Sequence, residues 1–93
     1  MKQHITPKQA KQLTKDEFYE LFPDLVIRED WANYHHKKIT IGKMLEVLFD
    51  LEIKVYVENS KPASVYDRTN NKEYCKEELS EALWDAIIDN FKK

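Results

Sequence analysis

Histidines are the first candidates for chemistry in this sequence, because imidazole serves both as a metal ligand and as an acid-base group. The one histidine cluster is the adjacent pair His35 and His36. Neighbouring residues in an extended segment point to opposite faces, so this pair is a poor chelate for a single ion. The remaining histidine, His4, lies in the N-terminal segment, and nothing in the sequence places it near the pair. We therefore predict surface histidines and no metal site.

The other nucleophiles lack the neighbours that catalysis requires. Cys75, the single cysteine, has Glu73, Glu77 and Glu78 close by in the sequence, and carboxylates oppose the thiolate form that attacks a substrate. No serine lies in a nucleophile elbow or in an acid-base frame with a histidine. The single glycine, Gly42, excludes the Gly-rich loops that cradle phosphates or dinucleotides. We predict that the chain is not an enzyme and has neither catalytic residues nor a cofactor.

Four carboxylates near the C-terminus have the spacing of one helix face. They are Glu77, Glu81, Asp85 and Asp89, which a step of four residues stacks along one side of a helix; we call them the acidic stripe. Like charges at this spacing cost about 0.2–0.5 kcal/mol per pair, so a contact with a basic partner surface is one interpretation. A solvated face is the other, and neutral substitutions would then slightly stabilise the helix.

Two tyrosines provide a second candidate contact. Residues 53–58 alternate between apolar and polar side chains, as in a half-buried strand, and Tyr56 falls on the face away from the apolar residues. Tyr66, in the predicted returning strand, shares that outer face. Tyrosine is favoured at partner-binding surfaces, although it also completes the thin core of a small domain.

The N-terminal segment is basic. Its lysines at positions 2, 8, 11 and 15 precede the first acid, Asp16, and they could contact a phosphate backbone. No aromatic residue is interleaved among them, as single-strand binding would favour, and a solvated helix face is the alternative. Together with the acidic stripe, this charge asymmetry also suits head-to-tail self-association or docking between the two ends of one domain.

Composition places the chain among small soluble domains. Its 93 residues suffice for one core, so we predict a single globular domain over residues 1–93. Fifteen lysines and arginines against seventeen acids give a net charge of −2, which argues against a nucleic-acid binder. The N-terminal segment is polar, and no run of about 18 apolar residues occurs. We therefore expect no signal peptide, no membrane association and a cytoplasmic location.

Local signals in the first half predict two short helices followed by irregular chain. Capping boxes at Thr6–Gln9 and Thr14–Glu17 open the helices. The first is expected to end near Gln12, and the second must stop before Pro23, which cannot continue it. Residues 24–38 show no clear period and are predicted as a loop, with a short strand over residues 25–27 and a turn or helical fragment over residues 29–34 as the alternatives.

The second half predicts a central helix, a hairpin and a final helix. The apolar arc of residues 41–51 spans roughly 200°, so this helix should be the most buried element, with Leu45 and Leu48 near the middle of its arc. An antiparallel β-hairpin is expected near residues 53–66, and a C-terminal helix near residues 77–91. The sum is about four helices and one hairpin, an α+β fold.

Three blocks of the sequence carry a resemblance to known proteins. They are the opening His4-Ile5-Thr6-Pro7 with Leu13-Thr14, the central Ile39–Leu45 and the closing Ala82–Ala86. In this order they resemble a group of small phage and prophage proteins from Gram-positive bacteria. The resemblance implies a phage or prophage origin and the cytoplasm of a bacterial host. It brings no established activity with it.

These observations favour a non-catalytic interaction module that binds and modulates a protein of the host. Its candidate contacts are the acidic stripe together with Tyr56 and Tyr66, and self-association is a further form of such contact. The alternative is a nucleic-acid-associated accessory protein that uses the N-terminal lysines. Salt dependence separates the two, because phosphate contacts weaken steeply as ionic strength rises.

Overall fold

Helices and strands follow one another in a mixed α+β order, and the computed structural model describes residues 3–25 and 31–92. The helices are α1 (Pro7–Ala10), α2 (Lys15–Leu21), α3 (Trp31–His35), α4 (Ile41–Asp50) and α5 (Leu79–Phe91). The strands are β1 (Val55–Glu58), β2 (Ala63–Asp67) and β3 (Lys72–Lys76). The predicted α+β class is confirmed, and the described residues contain one helix and one strand more than expected.

Both N-terminal capping boxes form. The Thr6 hydroxyl accepts a bond from the Gln9 N–H, while the Gln9 side chain accepts one from the Thr6 N–H. Thr14 and Glu17 exchange the same two bonds at the start of α2. These reciprocal bonds satisfy N–H groups that the first helical turn leaves without partners. Helix α1 ends at Ala10, two residues earlier than predicted.

The segment predicted as a loop contains a helix. Helix α3 covers Trp31–His35, and a 3₁₀ turn over His36–Lys38 follows it. Ala32 and His35 are buried, and the Trp31 ring lies 4.9 Å from that of Phe18. Tertiary packing therefore forms a helix that is too short to show a clear period. Asp24 and Leu25 are irregular, as predicted, and residues 26–30 lie outside the described residues.

The sheet is an antiparallel meander in the order β1-β2-β3. Tyr56 pairs with Tyr66, and Val65 pairs in turn with Tyr74. The predicted hairpin is present, and β3 extends it. Asn71, in the β2–β3 turn, has φ 56°, a left-handed conformation that asparagine tolerates better than most residues.

Helix α5, rather than α4, is the most buried element, so the expectation for the central helix is wrong. Seven of the thirteen α5 residues are buried, because the helix packs on one face of the sheet and also against α4. In α4 only Met44, Val47 and Leu48 are buried, while Leu45 is 37 % exposed. The wide apolar arc predicted burial on two sides. One side of α4 faces the core, and the other side faces water.

The two ends of the described chain meet at Trp84, which is fully buried in α5. Its indole N–H donates to the Gln9 carbonyl at 3.1 Å and to Gln12 Oε1 at 2.8 Å. The indole also stacks on Phe22, with ring centroids 6.4 Å apart. Lys92 adds a bond to the Gln12 carbonyl. No helix in the described ranges has both the length and the apolar character to cross a membrane.

Candidate functional site

The acidic stripe has three helical members rather than four. Glu77 precedes α5, whose N-cap is Glu78, so it does not share the helix face. Asp85 lies 3.3 Å from the Lys76 ammonium, and Asp89 lies 2.8 Å from that of Lys72. Two carboxylates of the stripe are therefore engaged within the molecule.

Strand β3 supplies these partners. Lys72, Tyr74 and Lys76 alternate onto the face of the sheet that α5 covers, since Tyr74 is opposite the buried Val65. The Tyr74 hydroxyl donates to Asp89 Oδ2 at 2.5 Å. Burial raises the pKa of Tyr74, and the Asp89 carboxylate raises it further, so the phenol remains a donor at neutral pH.

Neutralising Asp89 should therefore destabilise the fold, the opposite of what repulsion along the stripe predicts. In Asp89→Asn the charge-assisted bonds from Tyr74 and Lys72 weaken, and we expect a loss of about 1 kcal/mol in the free energy of unfolding. Urea denaturation measures it. Glu81→Gln is the matched control, because that substitution changes the same stripe without removing a bond to β3. A D89N variant as stable as wild type would contradict the role of the bond.

The third member of the stripe meets the basic N-terminus. Glu81 and Asp85 line one cleft together with Lys8 and Lys11 of the α1 region and with Lys76. The basic N-terminal segment and the acidic stripe therefore lie side by side. Of the two interpretations of this charge asymmetry, docking between the ends of one domain matches the arrangement. Carboxylates beside these lysines also make the cleft less favourable for a phosphate backbone.

The two candidate tyrosines lie opposite each other on the outer face of the sheet, as their alternation predicted. Tyr56 is 61 % exposed, and the Arg68 guanidinium carbon lies 4.7 Å from its ring centroid. Tyr66 is half-buried, and its hydroxyl bonds to the Asn71 side chain. Tyr56 is therefore the more accessible of the two for a partner.

A surface that the sequence did not single out lies at the end of α4. Phe49 is 80 % exposed, the most exposed large apolar side chain among the described residues. Leu45 is one helical turn earlier on the same face. Phe49 also lines a cleft with Ile53 and Lys54. We call Leu45, Phe49 and Ile53 the α4 apolar surface. The wide apolar arc of α4 could have indicated this surface. Apolar residues on the outer side of that arc are left for a partner to cover when no element of the fold packs on them.

The backbone that builds this cleft is strained at one residue. Helix α4 ends in a Schellman motif, in which the Ile53 N–H donates to the Leu48 carbonyl and the Glu52 N–H to that of Phe49, each at 2.9 Å. Glu52 has φ 61°, where glycine is the usual residue. Asp50 and Glu52 both line the cleft, so its rim is acidic.

The prediction of surface histidines is wrong for His35, which is buried, while His4 and His36 are half-buried. The rings of His4 and His36 lie 5.6 Å apart, because the N-terminal segment pairs with the chain near Thr40. Their Nδ1 atoms lie 2.7 Å and 3.0 Å from the carbonyls of Ile5 and Ala32, respectively. No group of three or more side chains suited to hold a metal occurs in the described ranges. Cys75 is exposed.

A buried carboxylate has a structural role that the sequence did not reveal. Asp67, fully buried at the end of β2, accepts hydrogen bonds from Asn70 and from Asn90 of α5. Burial by itself raises the pKa of Asp67, but these bonds outweigh it, and the net pKa is lowered. The carboxylate therefore stabilises the fold at neutral pH, and this contribution is lost as the pH falls through its folded-state pKa. Through these bonds, the Asp67 carboxylate links Asn70 in the β2–β3 turn to Asn90 in α5.

Comparison of the chain with protein-family models, with curated proteins and with solved structures finds no match. The exposure, charge and geometry of these surfaces therefore carry the functional proposal.

Proposed function

We propose that this chain is a non-catalytic interaction module of the phage or prophage type, which binds a host protein through the α4 apolar surface. The observation that carries the proposal is Phe49, whose ring is 80 % exposed on a well-formed helix. Aromatic side chains are enriched at the centres of protein interfaces, where a few buried anchor residues contribute most of the binding energy. Leu45, on the same face and 37 % exposed, adds to the apolar area.

The charges around this surface indicate the chemistry of the partner. Glu46, Asp50 and Glu52 are all exposed beside the apolar residues, and among the described residues Lys54 is the one cation that lines the cleft. An acidic rim around an apolar centre complements an apolar side chain flanked by lysine or arginine. The partner surface that we propose is thus basic, as the acidic stripe also suggested, but the contact lies on α4 rather than on α5.

The left-handed conformation of Glu52 supports this assignment. A residue other than glycine costs about 1–2 kcal/mol in that conformation, and a glycine there would be more stable. Residues other than glycine in this conformation cluster at functional sites.

Glu52→Gly should therefore raise the free energy of unfolding by about 1 kcal/mol and lower the affinity for the basic partner. Glu52→Gln is the matched control, because it removes the charge and keeps the strain. We expect E52Q to have the melting temperature of wild type. Its affinity for the partner should be as low as that of E52G. An E52G variant less stable than wild type would refute the strain, and unchanged binding in both variants would refute the acidic contact.

The experiment that tests the function is capture from a lysate of a Gram-positive bacterium with three baits: wild type, Phe49→Ala and Tyr19→Ala. Tyr19 is a second exposed aromatic, 54 % exposed on α2, and it controls for nonspecific apolar contact. We expect wild type and Y19A to capture a protein that mass spectrometry identifies, and F49A not to capture it. Once purified, that protein should bind wild type again. Equal capture by all three baits, or no specific capture, would overturn the proposal.

The alternative function, a nucleic-acid accessory role for the N-terminal lysines, has less support from the geometry. Lys8 and Lys11 share their cleft with Glu81 and Asp85, which repel a phosphate backbone. A gel shift that weakens steeply between low and moderate salt would favour this role over the protein-binding one.

A further inference from the structure

The two edges of the sheet differ in how they are protected. Strand β3 begins and ends with a lysine and contains a glutamate, the charged composition that blocks pairing with another chain. Strand β1 has the sequence Val-Tyr-Val-Glu, and Tyr56 and Val57 are 61 % and 40 % exposed. Within residues 3–25 and 31–92, no strand pairs with the outer edge of β1. An unprotected apolar edge is a template for a further strand.

The register of the sheet shows which backbone groups of β1 point outward. The Arg68 N–H donates to the Lys54 carbonyl at 2.8 Å, and pairing then alternates along the antiparallel ladder. Tyr56 and Glu58 therefore direct their backbone groups toward β2. The N–H and C=O groups of Val55 and Val57 point away from it and are the ones available to a second strand.

The sequence of this edge is complementary to itself. When two copies of residues 54–58 pair antiparallel about Tyr56, Lys54 of each copy is opposite Glu58 of the other. Each Val55 is then opposite a Val57, and both of those residues have outward backbone groups. Opposite charges and β-branched pairs across strands each stabilise a sheet.

Neighbouring registers lose this match. Pairing about Val57 places Glu58 opposite Tyr56 and leaves Lys54 opposite Ser60 of the other copy, so both ion pairs are lost. Pairing about Val55 places Glu58 opposite Glu52 of the other copy, which is repulsive. Charge thus selects the register about Tyr56.

We propose that the chain forms a two-fold symmetric homodimer by antiparallel pairing of β1 with β1 of a second copy, giving one continuous six-stranded sheet. Such an isologous contact uses the same patch on both copies and closes after two. It goes beyond binding of a host protein, because it uses the β1 edge rather than Phe49 on α4.

The first test is sedimentation of the full chain across concentrations from about 1 µM to 1 mM. This is the range of dissociation constants that we expect for a contact smaller than a standard interface. Val57→Pro removes an N–H that points away from β2, so it blocks the second strand while leaving the β1–β2 ladder intact. Val57→Thr keeps the N–H and is the matched control. We expect wild type and V57T to dimerise, and V57P to dissociate at least tenfold more readily while its circular dichroism spectrum is unchanged.

The second test exchanges the charges. Lys54→Glu and Glu58→Lys each create two like-charged pairs in the homodimer, and each should weaken it at least tenfold. An equimolar mixture of the two variants restores both opposite pairs, so a heterodimer of wild-type affinity is expected. Phe49→Ala should leave the dimer intact, which separates this proposal from that of host binding.

Three outcomes would overturn the homodimer proposal. They are a wild-type chain that stays monomeric up to the highest concentration, a dimer unaffected by V57P, and charge variants whose mixture dimerises no better than either alone.

Discussion

Replacement of Trp84 by alanine is expected to lower the free energy of unfolding by about 3–5 kcal/mol, the range for removing a buried aromatic side chain. The indole is fully buried and stacks on Phe22. Its N–H bonds to Gln9 and Gln12 join residues 72 to 75 positions apart in the chain. The substitution therefore leaves a cavity and also releases the N-terminal segment from α5.

Urea denaturation followed by circular dichroism measures this effect independently of the lost fluorophore. Trp84→Phe is the control, because it keeps an aromatic ring and removes the N–H group, and it should cost less than the alanine variant. We expect about 1–2 kcal/mol for the lost bond. A W84A variant within about 1 kcal/mol of wild type would show that the two ends do not depend on this contact.

Replacement of Phe49 by alanine is expected to reduce affinity for the captured host protein by a factor of about 30 or more, the effect of losing an interface anchor. Stability should change little, because a ring that is 80 % exposed loses little burial when it is truncated. The two effects together distinguish a binding residue from a core residue, which would lower both stability and affinity.

Calorimetric titration of the purified host protein into wild type, F49A and Y19A measures this loss, with melting curves for each variant. Y19A should bind as wild type does, because Tyr19 lies on α2 and outside the α4 apolar surface. Equal affinities for F49A and wild type would contradict the proposed contact. A large fall in the F49A melting temperature would contradict the exposed position of the ring.

Elements with local signals could be predicted from the sequence. The capping boxes at Thr6–Gln9 and Thr14–Glu17 depend on bonds between residues three positions apart. Whether they form is therefore decided by residues within one helical turn. The position of α4 after Thr40 follows from the same kind of signal, since the Thr40 hydroxyl accepts a bond from the Lys43 N–H. The outer faces of Tyr56 and Tyr66 follow from strand alternation alone.

Strand β3 could not be predicted in this way. Its five residues contain one buried side chain, that of Tyr74, so no alternation of apolar residues marks it as a strand. It is stabilised by pairing with β2 and by contacts with Asp85 and Asp89 of α5. Because β3 was not predicted, its lysines were not expected beside the acidic stripe. The spacing of four residues identifies the helix face but not the lysines that lie against it.

The candidate site on α4 was hidden for a related reason. An apolar arc shows how much of a helix could be buried, but the number of elements that pack against it decides how much is buried. Only the side of α4 with Met44, Val47 and Leu48 meets the core. Phe49 therefore looks like a core residue in the sequence and is a surface residue in the fold.

If a host protein contacts α4 at Phe49, a photo-crosslinking group at this position will attach covalently to that protein. A benzophenone side chain is introduced at position 49 in one sample and at position 19 in another, and both are irradiated in lysate of a Gram-positive bacterium. We expect one discrete adduct from position 49, absent from position 19 and abolished by excess wild-type chain. No adduct from position 49, or the same adduct from both positions, would contradict this contact.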